Sequence, residues 1–164
     1  MKKTYVLLTL LLLTACSNVP WSTMFKLRGF DLQDFVALNP DQLKMQVISH
    51  DAVALDFKRV MMDFKLTTED NKYEQSIDLA LVSENHKQSR IIYELALTEA
   101  AKDVLRETQS FMAQHENARV GFSIKTPMPV DKNVDTMTLT INMYLSNEYL
   151  TLLDELVLDA SQFQ

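Results

Sequence analysis

The sequence predicts an α+β domain: an antiparallel sheet of about six to seven strands, as one sheet or a two-sheet sandwich, with one crossover amphipathic helix and short terminal helices. Three observations predict it. From Thr136 to Leu145, the residues Met137, Leu139, Ile141, Met143 and Leu145 alternate with Thr136, Thr138, Thr140, Asn142 and Tyr144, the signature of a strand with one buried face. Val60 to Leu66, Tyr73 to Val82 and Ile91 to Leu97 form a meander, their connections Thr67 to Lys72 and Ser83 to Ser89 being polar and short enough for antiparallel neighbours. Finally, Glu99 to about His115 sets Ala101, Val104, Leu105, Thr108, Phe111 and Met112 on one helical stripe.

The elements follow in order. Asp31 is a fair N-cap for a helix through Leu38, stopped by Asn39-Pro40. Leu43 to Ile48 reads as a strand, and so does Val53 to Phe57. The apolar positions then move from odd numbers (Val53, Leu55, Phe57) to even ones (Met62, Phe64, Leu66), which requires a bulge or break near Lys58. After the meander, Thr98 caps the amphipathic helix. Phe111 lies mid-stripe, while Lys102, Asp103, Arg106, Glu107, Gln109, Ser110 and Gln114 fill the other side. Arg119 to Lys125 alternates as a strand, and Thr126 to Asp135, with Pro127 and Pro129, reads as an exposed loop. At the end, Ser146 can cap a short helix using Tyr149, Leu150, Leu153 and Leu156, with Leu156 to Leu158 as a final edge strand the other reading.

Composition limits what such a domain can be. The whole chain has two glycines, Gly29 and Gly121, so glycine-rich repeats, long flexible linkers and phosphate loops are all absent. No internal repeat interrupts residues 30–164, which read as a single globular domain. Met45, Met61, Met62, Met112, Met137 and Met143 fall mostly at inward positions, where an unbranched thioether fills core gaps.

The N-terminus carries the most specific signal. Lys2 and Lys3 precede an apolar run from Tyr5 to Leu13, then Leu13-Thr14-Ala15-Cys16, and Cys16 is the one cysteine of the chain. The run is too short for a permanent membrane span and has the form of a secretory signal. The four residues ending at Cys16 resemble the bacterial lipobox. The resemblance implies that residues 1–15 are cleaved, that the Cys16 thiol receives diacylglycerol and its new amine an acyl chain such as palmitate, and that residues 16–29 form a lipidated juxtamembrane segment. Two or three acyl chains together anchor firmly where one holds only marginally. Ser17 at the next position, where such lipoproteins carry aspartate for inner-membrane retention, implies export to the periplasmic face of the outer membrane.

Without Lys2 and Lys3, 14 of the 16 basic residues face 22 acidic ones, a net charge of −8 that argues against nucleic acid as a partner. The segment after the anchor holds Trp21, Phe25, Lys26 and Arg28, residue types that suit a membrane headgroup boundary, a partner contact or the floor of the core alike. Four residues separate Cys16 from Trp21 and span on the order of 15 Å at most, so the domain must sit close to the bilayer.

No catalytic signature emerges. His50, His86 and His115 lack the spacing of a metal site, and no serine sits on a glycine-flanked turn of the hydrolase kind. Asp56, Asp63 and Asp78 alternate with apolar neighbours, as a solvated sheet face demands. The reading is therefore a non-enzymatic accessory or docking subunit of an envelope assembly, without metal or cofactor. The alternatives are a lipoprotein binding lipid or another apolar ligand, and a carboxylate-dependent hydrolase acting on cell-wall glycan.

Overall fold

A computed structural model describes residues 19–57, 60–68, 72–115, 119–125, 128–131, 133–145 and 147–159. Three helices, α1 (Trp21–Arg28), α2 (Leu32–Ala37) and α3 (Glu99–Met112), accompany nine strands. These are β1 (Lys44–Ser49), β2 (Leu55–Asp56), β3 (Met61–Thr67), β4 (Lys72–Lys87), β5 (Arg90–Leu97), β6 (Arg119–Ile124), β7 (Met128–Pro129), β8 (Thr136–Leu145) and β9 (Glu148–Asp159). Seven of them form one antiparallel sheet in the order β6-β3-β4-β5-β1-β8-β9, curled into a half-barrel, while β2 and β7 pair as a separate ribbon. The architecture is mainly β, and one curled sheet stands where a sandwich was the other option.

The meander β3-β4-β5 and the phase change both appear. β2 leaves for the ribbon while β3 enters the main sheet, so Leu55 and Phe57 are buried on one parity and Met62 on the other. Across the sheet centre Met143, Met45 and Leu95 stand opposite one another, as do Ile141, Val47 and Tyr93, and all six are buried. Tyr93 also holds the ribbon: its ring lies 4.5 Å from that of Phe57, and its phenol oxygen accepts the Leu55 N–H at 3.0 Å. Burial pushes the Tyr93 phenol above its ordinary pKa.

α3 begins at Thr98, whose hydroxyl accepts the Ala101 N–H, and buries Ala101, Leu105, Thr108 and Met112. Two expectations about it change. Phe111 is only partly buried, at the end of the stripe rather than under its middle. Gln109, read as solvent-facing, is 7 % exposed and donates from Nε2 to the carbonyls of Phe35 at 2.9 Å and Leu38 at 2.8 Å. A helix of six residues leaves its last carbonyls without internal donors, and the glutamine amide supplies them across the α2–α3 interface. Asp31 caps α2 as expected, in a capping box with Asp34.

Three further corrections concern strands. The Ser83 to Ser89 connection is instead the outer half of a sixteen-residue β4, which turns into β5 at Gln88-Ser89. A register shift between Leu81 and Ser83 breaks the alternation there, and the projecting hairpin is wet on both faces, so no apolar period marked it. The Thr126 to Asp135 loop contributes the short β7, which pairs Pro129 with Leu55 and Met128 with Asp56. The C-terminal helix is absent, and β9 forms a hairpin with β8 in its place. Asn147 takes the left-handed turn conformation at φ 68, which asparagine tolerates. Register shifts at Leu139/Ile141 and Ile141/Asn142 insert extra residues into β9, so Leu150, Leu152 and Leu153 lose strict alternation and imitate helical spacing.

α1 was not assigned a structure from sequence. Its first bond runs from Met24 N–H to the carbonyl of Pro20, a residue preset for a helix start, and its Thr23 is 1 % exposed, donating its hydroxyl to the Thr151 carbonyl of β9.

Candidate functional site

The second face of the sheet, opposite the α3 core, carries a row of polar side chains across five strands. Because neighbouring strands are antiparallel and in register, Ser83 (β4), Glu94 (β5), Gln46 (β1), Asn142 (β8) and Thr151 (β9) stand side by side on it. Glu94 is the charged centre. Its Oε1 accepts Lys44 Nζ at 3.2 Å and the Tyr149 hydroxyl at 3.0 Å, and Oε2 accepts Ser83 at 3.5 Å. The Lys44 and Tyr149 hydrogen bonds hold its carboxyl below the ordinary range. The same contact, together with burial, raises the Tyr149 phenol, burial being the larger cause.

Beside Glu94 lies an amide pair. Asn142 Nδ2 donates to Gln46 Oε1 at 3.0 Å, while Asn142 Oδ1 is buried without a partner. Turning both amides over only moves the deficit to Nδ2, so one polar atom stays unmatched in either assignment. Tyr144 completes the group, its ring meeting that of Tyr149 edge to face at 5.2 Å.

Further along β8, the Thr140 hydroxyl lies 3.1 Å from His50 Nε2 and 3.3 Å from Asp154 Oδ1, and accepts the Glu155 N–H at 3.1 Å. Asp154 touches the threonine rather than the imidazole, so this is a brace for the β9 bulge, where Glu155 sits at φ 45, and not a nucleophile–base pair. On the α3 face, Tyr73, Gln75, Glu107, Thr108 and Phe111 line a groove of about 230 Å³, in which the Tyr73 and Phe111 rings meet at 5.2 Å.

Of the sequence-designated residues, Cys16 and Ser17 lie outside the described residues, as do the side chains of Trp21, Phe25 and Lys26, whose backbone is part of α1. Arg28 ends α1 and is exposed. The three histidines are dispersed: His50 on Thr140, His86 on Glu84 at 2.8 Å, and His115 stacked on Phe111 at 4.2 Å. Among the described residues, no group of three or more His, Cys, Asp or Glu could hold a metal ion. Asp63 is bound by Ser76 at 2.6 Å and faces Lys125 at 3.6 Å, which lowers its pKa, the serine bond being the larger cause. Glu94 and Asp63 thus shift in the direction opposite to that of a general acid.

Sequence reading missed the polar row because its members sit at the wet positions of four ordinary strands and of the misread β9. Only the register shows that they adjoin. No protein-family model matches this chain, and neither a curated protein nor a solved structure matches it. Among the described residues no helix is long and apolar enough to cross a membrane.

Proposed function

We propose that this chain is a lipoprotein anchored through Cys16 to the periplasmic face of the outer membrane, acting there as a non-enzymatic docking subunit of an envelope assembly. The observation that carries the reading is the register of Lys2-Lys3, the apolar run and Leu13-Thr14-Ala15-Cys16. The docking of α1 supports it. Thr23 fixes α1 to β9 only seven residues beyond Cys16, a reach of roughly 25 Å at full extension, so a lipid at Cys16 holds the β9 side of the sheet near the bilayer. A rigid body on so short a tether presents fixed faces to its neighbours. The absence of a raised-pKa acid at Glu94 and Asp63 fits docking better than glycan cleavage, and a groove of about 230 Å³ is smaller than the roughly 300–1,000 Å³ usual for small-molecule sites, which disfavours a lipid carrier.

The test combines sorting with crosslinking. Wild-type protein should fractionate with the outer membrane, and Ser17→Asp should move it to the inner one. A photo-crosslinker at Glu84, on the projecting β4–β5 hairpin, should trap one discrete envelope protein. Unchanged fractionation of Ser17→Asp contradicts the sorting, and a ladder of unrelated adducts contradicts the docking role.

A further inference from the structure

Tyr149 is built into the polar row in a way that local packing does not explain. It stands on β9 and Glu94 on β5, three strand spacings away, roughly 14 Å in a flat sheet. Their side chains nevertheless meet at 3.0 Å, because the sheet curls and the tyrosine reaches over β8 and β1. It begins opposite Tyr144 and ends at Glu94, in the row of Gln46 and Asn142, so it lies as a strap beside the amide pair. Asn142 is 8 % exposed and its Oδ1 has no partner, whereas Tyr149 is 40 % exposed. An accessible aromatic thus covers an unmet buried acceptor, where most buried polar groups are satisfied.

We propose that Gln46, Glu94, Asn142 and Tyr149 form a binding site for an acetamido sugar, closed here by the Tyr149 strap. The side-chain set matches that chemistry. An acetamido group offers one N–H and one carbonyl, the complement of Asn142 Oδ1 and Gln46 Nε2, and pyranose hydroxyls suit the Glu94 carboxylate and the Lys44 ammonium. The ring of Tyr149, turned off Glu94, gives the flat face on which the C–H side of a pyranose packs. An extended peptide fits less well, because peptides that join sheets do so through main-chain bonds at an edge, whereas this site lies on a face and offers only side chains. The proposal concerns ligand class and does not depend on the lipid anchor.

The probe is chitotetraose, titrated calorimetrically into the purified full chain. Saturable binding is expected, weakened at least tenfold by Tyr149→Ala and by Gln46→Met. Tyr149→Phe keeps the ring and removes the bond to Glu94, so it should bind several-fold tighter than wild type, the closed state no longer competing. Tyr149 is exposed and its replacements leave the core intact, which circular dichroism of each variant checks. Absence of saturable binding by folded wild type overturns the proposal. So does binding indifferent to Tyr149 and Gln46, and so does saturation by tetraalanine but not by chitotetraose, which would make the face a peptide site.

Discussion

At the scale of single residues, the α3 stripe separates anchors from walls. Leu105 is 1 % exposed beneath the helix, so Leu105→Ala should cost about 2–5 kcal/mol. Phe111 borders an open groove, so Phe111→Ala should cost clearly less than the roughly 3–5 kcal/mol of a fully buried phenylalanine. Urea unfolding of the two variants orders them, and a larger loss for Phe111 would mean that it packs at the centre after all. Gln109 makes a second test. Gln109→Leu keeps the volume but orphans two carbonyls, with an expected cost of about 1–3 kcal/mol, and an unchanged midpoint would show that solvent satisfies them. The sequence could not reveal this glutamine, because its amide answers a need of α2, some seventy positions away.

At the scale of elements, legibility followed the regularity of the pleat. β8 spans Thr136–Leu145, the limits its alternation predicts, because the strand is free of bulges and one face is wholly apolar. β9 and the outer half of β4 were misread for the opposite reason: inserted residues reset the parity of one, and solvent on both faces erased it in the other. The polar row suffered with them, since it exists only once five strands are in register. Asn147 distinguishes the two readings of the C-terminus directly. In a hairpin it occupies a left-handed position, so Asn147→Ala should destabilise by about 1 kcal/mol or somewhat more. In a helix capped by Ser146 the same change would stabilise, alanine being the best helix former. Thermal melts of the two proteins decide by sign alone. Ala52, at φ 54, gives the converse case: Ala52→Gly should gain up to about 1 kcal/mol, and a loss would show that its backbone is not strained.

At the scale of the whole molecule, charge and tether set behaviour. Asp41, held by Lys102 and Arg106, shares with Asp63 and Glu94 a carboxyl pKa lowered in the fold, most by the Lys102 hydrogen bond in its case. A lowered folded pKa contributes stability that is present above the unfolded value, about 4, and lost as pH falls through the folded value. Lys65 and Lys102 are raised, chiefly by hydrogen bonds to Glu74 and Glu99, so their contribution is present below about 10.4 and lost only as pH rises through their folded values. The melting temperature should therefore fall as pH drops below about 4. A fall centred between pH 6 and 7 would instead implicate a histidine, against this account.

Through the tether, those charges and the polar row are held at a fixed height above a membrane, and that is the claim on which the biological reading rests. The intact mass of the chain extracted from membranes of its own host tests it most directly. The account predicts a chain beginning at Cys16 and carrying diacylglyceryl and acyl groups, and a heavier, uncleaved diacylglyceryl form after globomycin treatment. A mass corresponding to an unmodified chain from Met1, or to an unacylated Cys16, would contradict it.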